Sequence, residues 1–208
     1  MTFAAFLAIE KALPLPPSLL YPARAALSLV ALLVFSRRVI PWVPNQGPAS
    51  IGLGIAVFFI WIGPDLLWPG MRNHWLFHNA LLGSPASTLP QGLKTSPGFI
   101  AVRIFGSVGL VPILEELFWR GWLMRWLISQ DFRKIPLGTY TPLAFWVTAV
   151  LFASEHGPYW EVGLITGAIY NWWLIRTRNL ANCILAHAVT NGCLAVYVLG
   201  WNQWQYWL

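Results

Sequence analysis

VPILEELFWRGWLMRWL, residues 111–127, decides the fold. Four charged side chains, Glu115, Glu116, Arg120 and Arg125, interrupt a run otherwise built of apolar and aromatic residues, one proline and one glycine. An ionisable group inside a membrane helix costs about 2.5–3.5 kcal/mol on insertion scales, so it marks pairing or function rather than surface. Glu116 and Arg120 stand four apart on one helix face with the acid N-terminal, the favoured order for an ion pair. Glu115 lies about 100° round the helix and has no such partner.

The rest of the chain agrees with a membrane setting. Of 208 residues only 10% are charged and 57% are apolar, with 14 Trp and 16 Pro. An ordinary soluble chain has roughly 25% charge, and so little cannot coat a water-facing surface. A soluble domain, a disordered chain and a coiled coil are excluded on that ground. No Asp, Glu, Lys or Arg occurs between Arg38 and Asp65, from Ile135 to Ser154, from Val162 to Ile175, or from Asn179 onward.

A bilayer core asks for about 20 apolar residues in a helix. The expected fold is all-α, a polytopic transmembrane helical bundle of about six spans with a polar intramembrane site. The spans fall near 18–36, 50–68, 98 to beyond Arg120, 141–156, 160–175 and 180–200. Pro64-Asp65 should distort the far end of the second. The Pro-, Gly- and Ser-rich segment 69–97 contains an amphipathic stretch, MRNHWLFHNALL, suited to the interface. The tail WNQWQYWL suits the headgroup level, where indole is half wet. The chain reads as a single membrane domain, 1–208, with N-terminal spans and an interfacial segment over 18–97 and core spans over 98–200. It shows no internal repeat. The opening stretch MTFAAFLAIEKALPLPPS carries Glu10 and several prolines rather than a basic region and cleavage site, so no removable signal peptide is expected.

The net charge of +6 is not a nucleic-acid stripe, because the basic residues punctuate the gaps between apolar runs. Arg37/Arg38, Arg125/Arg133/Lys134 and Arg176/Arg178 follow spans one, three and five, while the opposite loops hold Arg72 and Lys94. The positive-inside rule puts the three basic loops in the cytoplasm and both termini outside. Cys183 and Cys193 lie ten residues apart on one helix, about 15 Å, which is beyond disulfide reach. Both read as packing residues.

Two further clusters accompany the first. In Phe152-Ala-Ser-Glu155-His156 the Phe and His share a helix face, so the ring can wall and orient the imidazole. In His187-Ala-Val-Thr-Asn191 an imidazole and a carboxamide project the same way in a charge-free span. They can supply hydrogen-bond donors of the oxyanion-hole kind. Each cluster has a structural alternative: a helix-end ion pair, a satisfied core histidine, an interhelical polar clamp. Together they assemble a carboxylate for water, an orienting His and donors for an oxyanion. His74 and His78, also four apart, read as one face of the interfacial stretch rather than as metal ligands.

Glu115-Glu116-x-x-x-Arg120, Phe152-x-x-x-His156 and His187-x-x-x-Asn191 resemble the three ordered motifs of the CAAX protease and bacteriocin-processing (CPBP) family of intramembrane proteases, over residues 113–191. The resemblance implies catalytic Glu115, His156, His187 and Asn191. Glu115 would activate water with His156, and His187 and Asn191 would stabilise the oxyanion. Glu116, Arg120 and Phe152 would give structural support. It also implies a membrane-anchored protein or peptide substrate, CAAX-type or a bacterial C-terminal sorting or bacteriocin-type segment. The setting would be a bacterial cytoplasmic membrane, with no nucleic-acid partner. The family has been labelled metalloprotease, with a metal-free glutamate mechanism as the alternative. Glu115, His156 and His187 could make an open zinc site, but no HExxH helix is present and Asn191 is a poor zinc ligand, so no cofactor is favoured. Relatives often have about eight spans against six here. The drawn boundaries also set His156 nearer the outer face than Glu115, which would require the fourth span to start later, tilt or break. The alternatives in function are a small proton-coupled transporter and a non-catalytic membrane scaffold.

Overall fold

The computed structural model describes residues 16–207; the expectation about a signal peptide concerns residues outside that range. Helix α1 spans Pro17–Ala31 and runs on through a π turn at Leu32–Ser36. Helix α2 spans Gly47–Leu67, α3 Pro97–Trp126, α4 Pro142–Ser154, α5 Trp160–Thr177 and α6 Leu180–Trp201. Among the described residues there is no strand, only an isolated bridge between Asn79 and Gly83. Residues 18–36, α2, α3 and α6 are long and apolar enough to cross a bilayer, whereas α4 is apolar but short. With α5 they form a transmembrane bundle of six helices.

Local chemistry sets the helix starts. Ser96 and Thr141 accept hydrogen bonds from the backbone N–H groups of Phe99 and Ala144, each ahead of a proline at the first helical position. Asn179 caps α6 by accepting from Ala181 N–H at 2.9 Å. Pro64 does not end α2, which stays helical to Leu67 with Asp65 held by partners described below. Within α3, π-helical stretches at Phe105–Leu110 and Leu117–Leu123 flank the regular turn and a half that carries Glu115 and Glu116. Such stretches break the regular hydrogen-bond ladder. Here two of their carbonyls, Ser107 and Gly121, accept from Asn191 and Arg125 side chains instead.

Small residues let the helices approach. A Cβ built at Gly54 of α2 would lie 2.7 Å from the Val189 Cβ of α6, too close for any real contact. Gly163 and Gly167 of α5 face Ala153 and Ala149 of α4, with Cβ positions 3.2 and 3.1 Å from their Cα atoms. In lipid, where apolar area gives little drive for helices to associate, such close backbone packing is what holds a bundle together.

Helix length then fixes depth. The basic end of the bundle is marked by Trp126 on α3, Pro142 on α4 and Leu180 on α6. From there Glu115 and Asn191 each lie about three helical turns along α3 and α6, and α4 is exhausted at Ser154. At a rise of about 1.5 Å per residue all three points lie about 16–18 Å in. The fourth helix therefore neither starts late nor breaks to reach the site. It is short, and its end brings His156 to the level of Glu115.

The amphipathic stretch at 71–82 is not a helix. It holds one 3₁₀ turn, Met71–Asn73, followed by turns, so His74 and His78 share no helical face. Replacing Gly54 with Val should destabilise the protein in detergent by about 1–3 kcal/mol through overpacking. Gly52→Val, where an added Cβ meets nothing within 4 Å, should leave the thermal midpoint unchanged.

Candidate active site

Glu116 and Arg120 are both fully buried, and their contacts form the floor of the site. Arg120 donates through Nη1 to Glu116 Oε1 at 3.1 Å, through Nε to Asn171 Oδ1 at 3.0 Å, and through Nη2 to the Gly167 carbonyl at 3.3 Å. Asn171 passes the connection on, its Nδ2 donating to the Phe145 carbonyl at 2.8 Å. The guanidinium also lies 4.5 Å over the Phe152 ring. One arginine thus ties α3, α4 and α5 together, and a buried charge persists in such a place because its donors are occupied.

Glu116 has a second partner that its spacing from Arg120 does not reveal. Its Oε1 lies 2.9 Å from His187 Nδ1 on α6, far along the chain. The contact fixes the imidazole and leaves Nε2 for the cavity that His187 helps to line. Beside it, Tyr170 and Thr190 are linked at 2.7 Å, and Thr190 donates to the Gly54 carbonyl at 2.8 Å, anchoring α6 to α5 and α2.

Above this floor is a cavity of about 550 Å³. Glu115, His156, His187 and Asn191 all line it, as does Phe152. Glu115 Oε2 is buried there with no hydrogen-bond partner among the described residues. His156 sits in the turn after α4 with Nδ1 2.7 Å from the Phe152 carbonyl, so Nδ1–H donates and Nε2 carries the lone pair. Its ring packs on Phe152 at 4.6 Å and Trp61 at 5.2 Å, and Gly163 clears the space behind it. Asn191 Nδ2 donates to the Ser107 carbonyl at 2.8 Å. Among the described residues no three His, Cys, Asp or Glu side chains are grouped to hold a metal ion.

A second polar node holds the other end of the cavity, and nothing in the local sequence pattern announces it. Arg72, in the segment between α2 and α3, is buried and contacts Asp65 at 2.7 Å and Glu161 at 2.6 Å. It also donates to the Pro158 carbonyl at 2.6 Å and lies 4.1 Å over the Tyr159 ring. Tyr206 completes the node by donating to Asp65 Oδ2 at 2.7 Å. Burial pushes the Tyr159 and Tyr206 phenols up; Tyr206 is the donor to Asp65, whereas the buried Tyr159 hydroxyl has no hydrogen-bond partner among the described residues. The tail after α6 is thereby folded inward: Gln205, Tyr206 and Trp207 line the cavity, and Trp207 is buried in a cluster with Ala195 and Val198. Cys183 is buried, Cys193 is half-buried, and both are free.

Glu155 and Asn171 are the other polar residues that the motifs overlooked. Glu155 lines the cavity beside His156. Asn171 stands in a charge-free span, as Asn191 does, and a costly carboxamide in lipid was signal enough to mark it.

Residues 97–193, from the first residue of α3 to just past Asn191, match the family model described as Type II CAAX prenyl endopeptidase Rce1-like. That segment holds all three motifs, and over it the chain is similar to this family of CAAX-type membrane endopeptidases. No curated protein and no solved structure matches the chain.

Arg120→Met should destabilise the folded protein by about 3–5 kcal/mol, because Glu116 would be left buried without its main counter-charge. Thermal unfolding of the purified protein in detergent measures this. The double variant Glu116→Gln/Arg120→Met should recover part of the loss.

Proposed function

We propose that the protein is an intramembrane endopeptidase that hydrolyses a peptide bond in a membrane-anchored or C-terminal hydrophobic segment, using water activated by Glu115. The observation that carries this reading is a buried, unpartnered carboxylate oxygen in a cavity also lined by His156, His187 and Asn191. A carboxylate that merely stabilised the bundle would be expected to share the Arg120 contacts that Glu116 takes.

In the proposed reaction, the water oxygen bonds to the substrate carbonyl carbon as one of its protons passes to Glu115. His156 orients that water through the Nε2 lone pair. The carbonyl π electrons move to oxygen, and the oxyanion accepts hydrogen bonds from the second Nδ2 hydrogen of Asn191 and from Nε2–H of His187. With Nδ1 on Glu116, a His187 that donates from Nε2 carries protons on both nitrogens, and Glu116 is its counter-ion. Counting that imidazolium, Glu115, Glu116, Arg120 and His187 sum to zero charge, as a lipid-embedded site requires. Collapse of the tetrahedral intermediate breaks the C–N bond, and the amine leaves with the proton held by Glu115.

No step passes through a metal. The proposed setting is a bacterial cytoplasmic membrane with the basic loops in the cytoplasm.

Glu115→Gln keeps the side-chain shape and removes the base. It should fold and insert normally and lose processing of a co-expressed membrane-anchored substrate by at least about 100-fold, the usual worth of a positioned general base. Unchanged processing by this variant would refute the reading. Pretreatment of the purified enzyme with EDTA or 1,10-phenanthroline should leave its cleavage rate unchanged, and loss restored by added zinc would replace the metal-free mechanism with a metal-assisted one.

A further inference from the structure

The cavity has two unlike ends. Toward the basic end of the bundle it stops at the Glu116–Arg120–Asn171 floor, where all three side chains have no exposed surface. Phe152 at 1% and Trp119 at 5% exposure complete the closure. Toward the other end its walls are Leu82, Gly83, Ser84, Ala86 and Thr88 from the segment between α2 and α3, with the turn at Glu155–Tyr159 and the tail residues Gln205–Trp207. Gly83, Ser84, Ala86, Thr88 and Glu155 are exposed, so the cavity reaches the surface there.

The charges on the loops differ just as sharply. Arg37, Arg38, Arg125, Arg133, Lys134, Arg176 and Arg178 all lie at or near helix ends on the closed side. The loops of the open side have Lys94 and the buried Arg72, which is already held by Asp65 and Glu161, while Arg24 and Arg103 lie about two turns inside α1 and α3 from that side, Arg103 in the cavity wall. Basic residues in short loops stay on the cytoplasmic side of the membrane during insertion. These loops are short, with helix-to-helix gaps at 37–46, 127–141 and 178–179.

We infer that the active site is served from the extracytoplasmic face, through the opening between residues 82–88 and the tail after α6. Resting on the peptidase reading above, this assigns the substrate class: an exported polypeptide, already across the membrane and still anchored by a hydrophobic segment. Its scissile bond is drawn down to the middle of the bilayer. Glu115 lies about 16 Å from the basic end, half of a hydrocarbon core about 30 Å thick. A lipid-tailed C-terminus presented from the cytoplasm would meet the ion-paired floor rather than the opening.

The test is side-specific labelling of the full chain in its native membrane. Thr88→Cys and, as an independent second site, Ala86→Cys place a thiol on the exposed cavity rim, and Gln130→Cys places one in an exposed loop at the basic end. All are made in a Cys193→Ala background, with Cys183 buried. In intact spheroplasts a membrane-impermeant maleimide should label both rim variants and should label Gln130→Cys only after permeabilisation. Rim variants that label only after permeabilisation, or a Gln130→Cys that labels without it, overturn the inference. The labelling needs no turnover, so its result is separate from that of Glu115→Gln: the cavity can prove extracytoplasmic in a protein that cleaves nothing, or cytoplasmic in an active peptidase.

Discussion

A fully buried guanidinium governs this structure. Arg120 lies in the middle of the bundle and must have its donors occupied, because an unpaired charge in so dry a place would not persist. The groups that satisfy it come from three directions: Glu116 on its own helix, Asn171 and the Gly167 carbonyl on α5, and the Phe152 ring on α4. Glu116 in turn holds His187 on α6. Four helices are fixed in rotation by one ion-paired network. With Arg120 and Glu116 occupied by each other and by these neighbours, adjacent Glu115 is the carboxylate left for chemistry.

Two other constraints shape the space above that network. The short α4 ends at mid-membrane depth, so His156 is carried in a turn rather than in a helix ladder and can bond back to the Phe152 carbonyl. The Arg72 node does at the far end what Arg120 does at the floor. It pins an irregular segment, the α4–α5 turn and the tail after α6 around Asp65 and Glu161. Irregular backbone at the membrane needs protein partners for its polar groups, and this node supplies several of them. A closed charged floor and a strapped, accessible roof give the cavity a direction as well as a shape.

Much of this could be read along the chain. Four of the six helices, α2, α4, α5 and α6, follow from charge-free runs, and all six fall within a few residues of their expected bounds. The i, i+4 geometry of a helix predicts the Glu116–Arg120 contact and the Phe152–His156 stack, since both are local. What depends on packing could not be read that way. The tail packs on the end of the bundle and lines the cavity, 71–82 forms turns instead of a helix, and α2 runs on past Pro64-Asp65 to Leu67.

By itself the sequence determined a helical membrane protein with a few costly polar groups in three spaced motifs, because the energy of burying charge in lipid and the pitch of a helix are properties of neighbouring residues. The tertiary structure alone decided that Glu116 serves His187 as well as Arg120, that the short α4 sets His156 level with Glu115, and that Arg72 closes onto Glu161. Glu116 and His187 lie on different helices, and Arg72 is separated from Glu161 by two whole spans. No period in the chain encodes which faces meet; close packing at Gly54, Gly163 and Gly167 settles that once the helices come together.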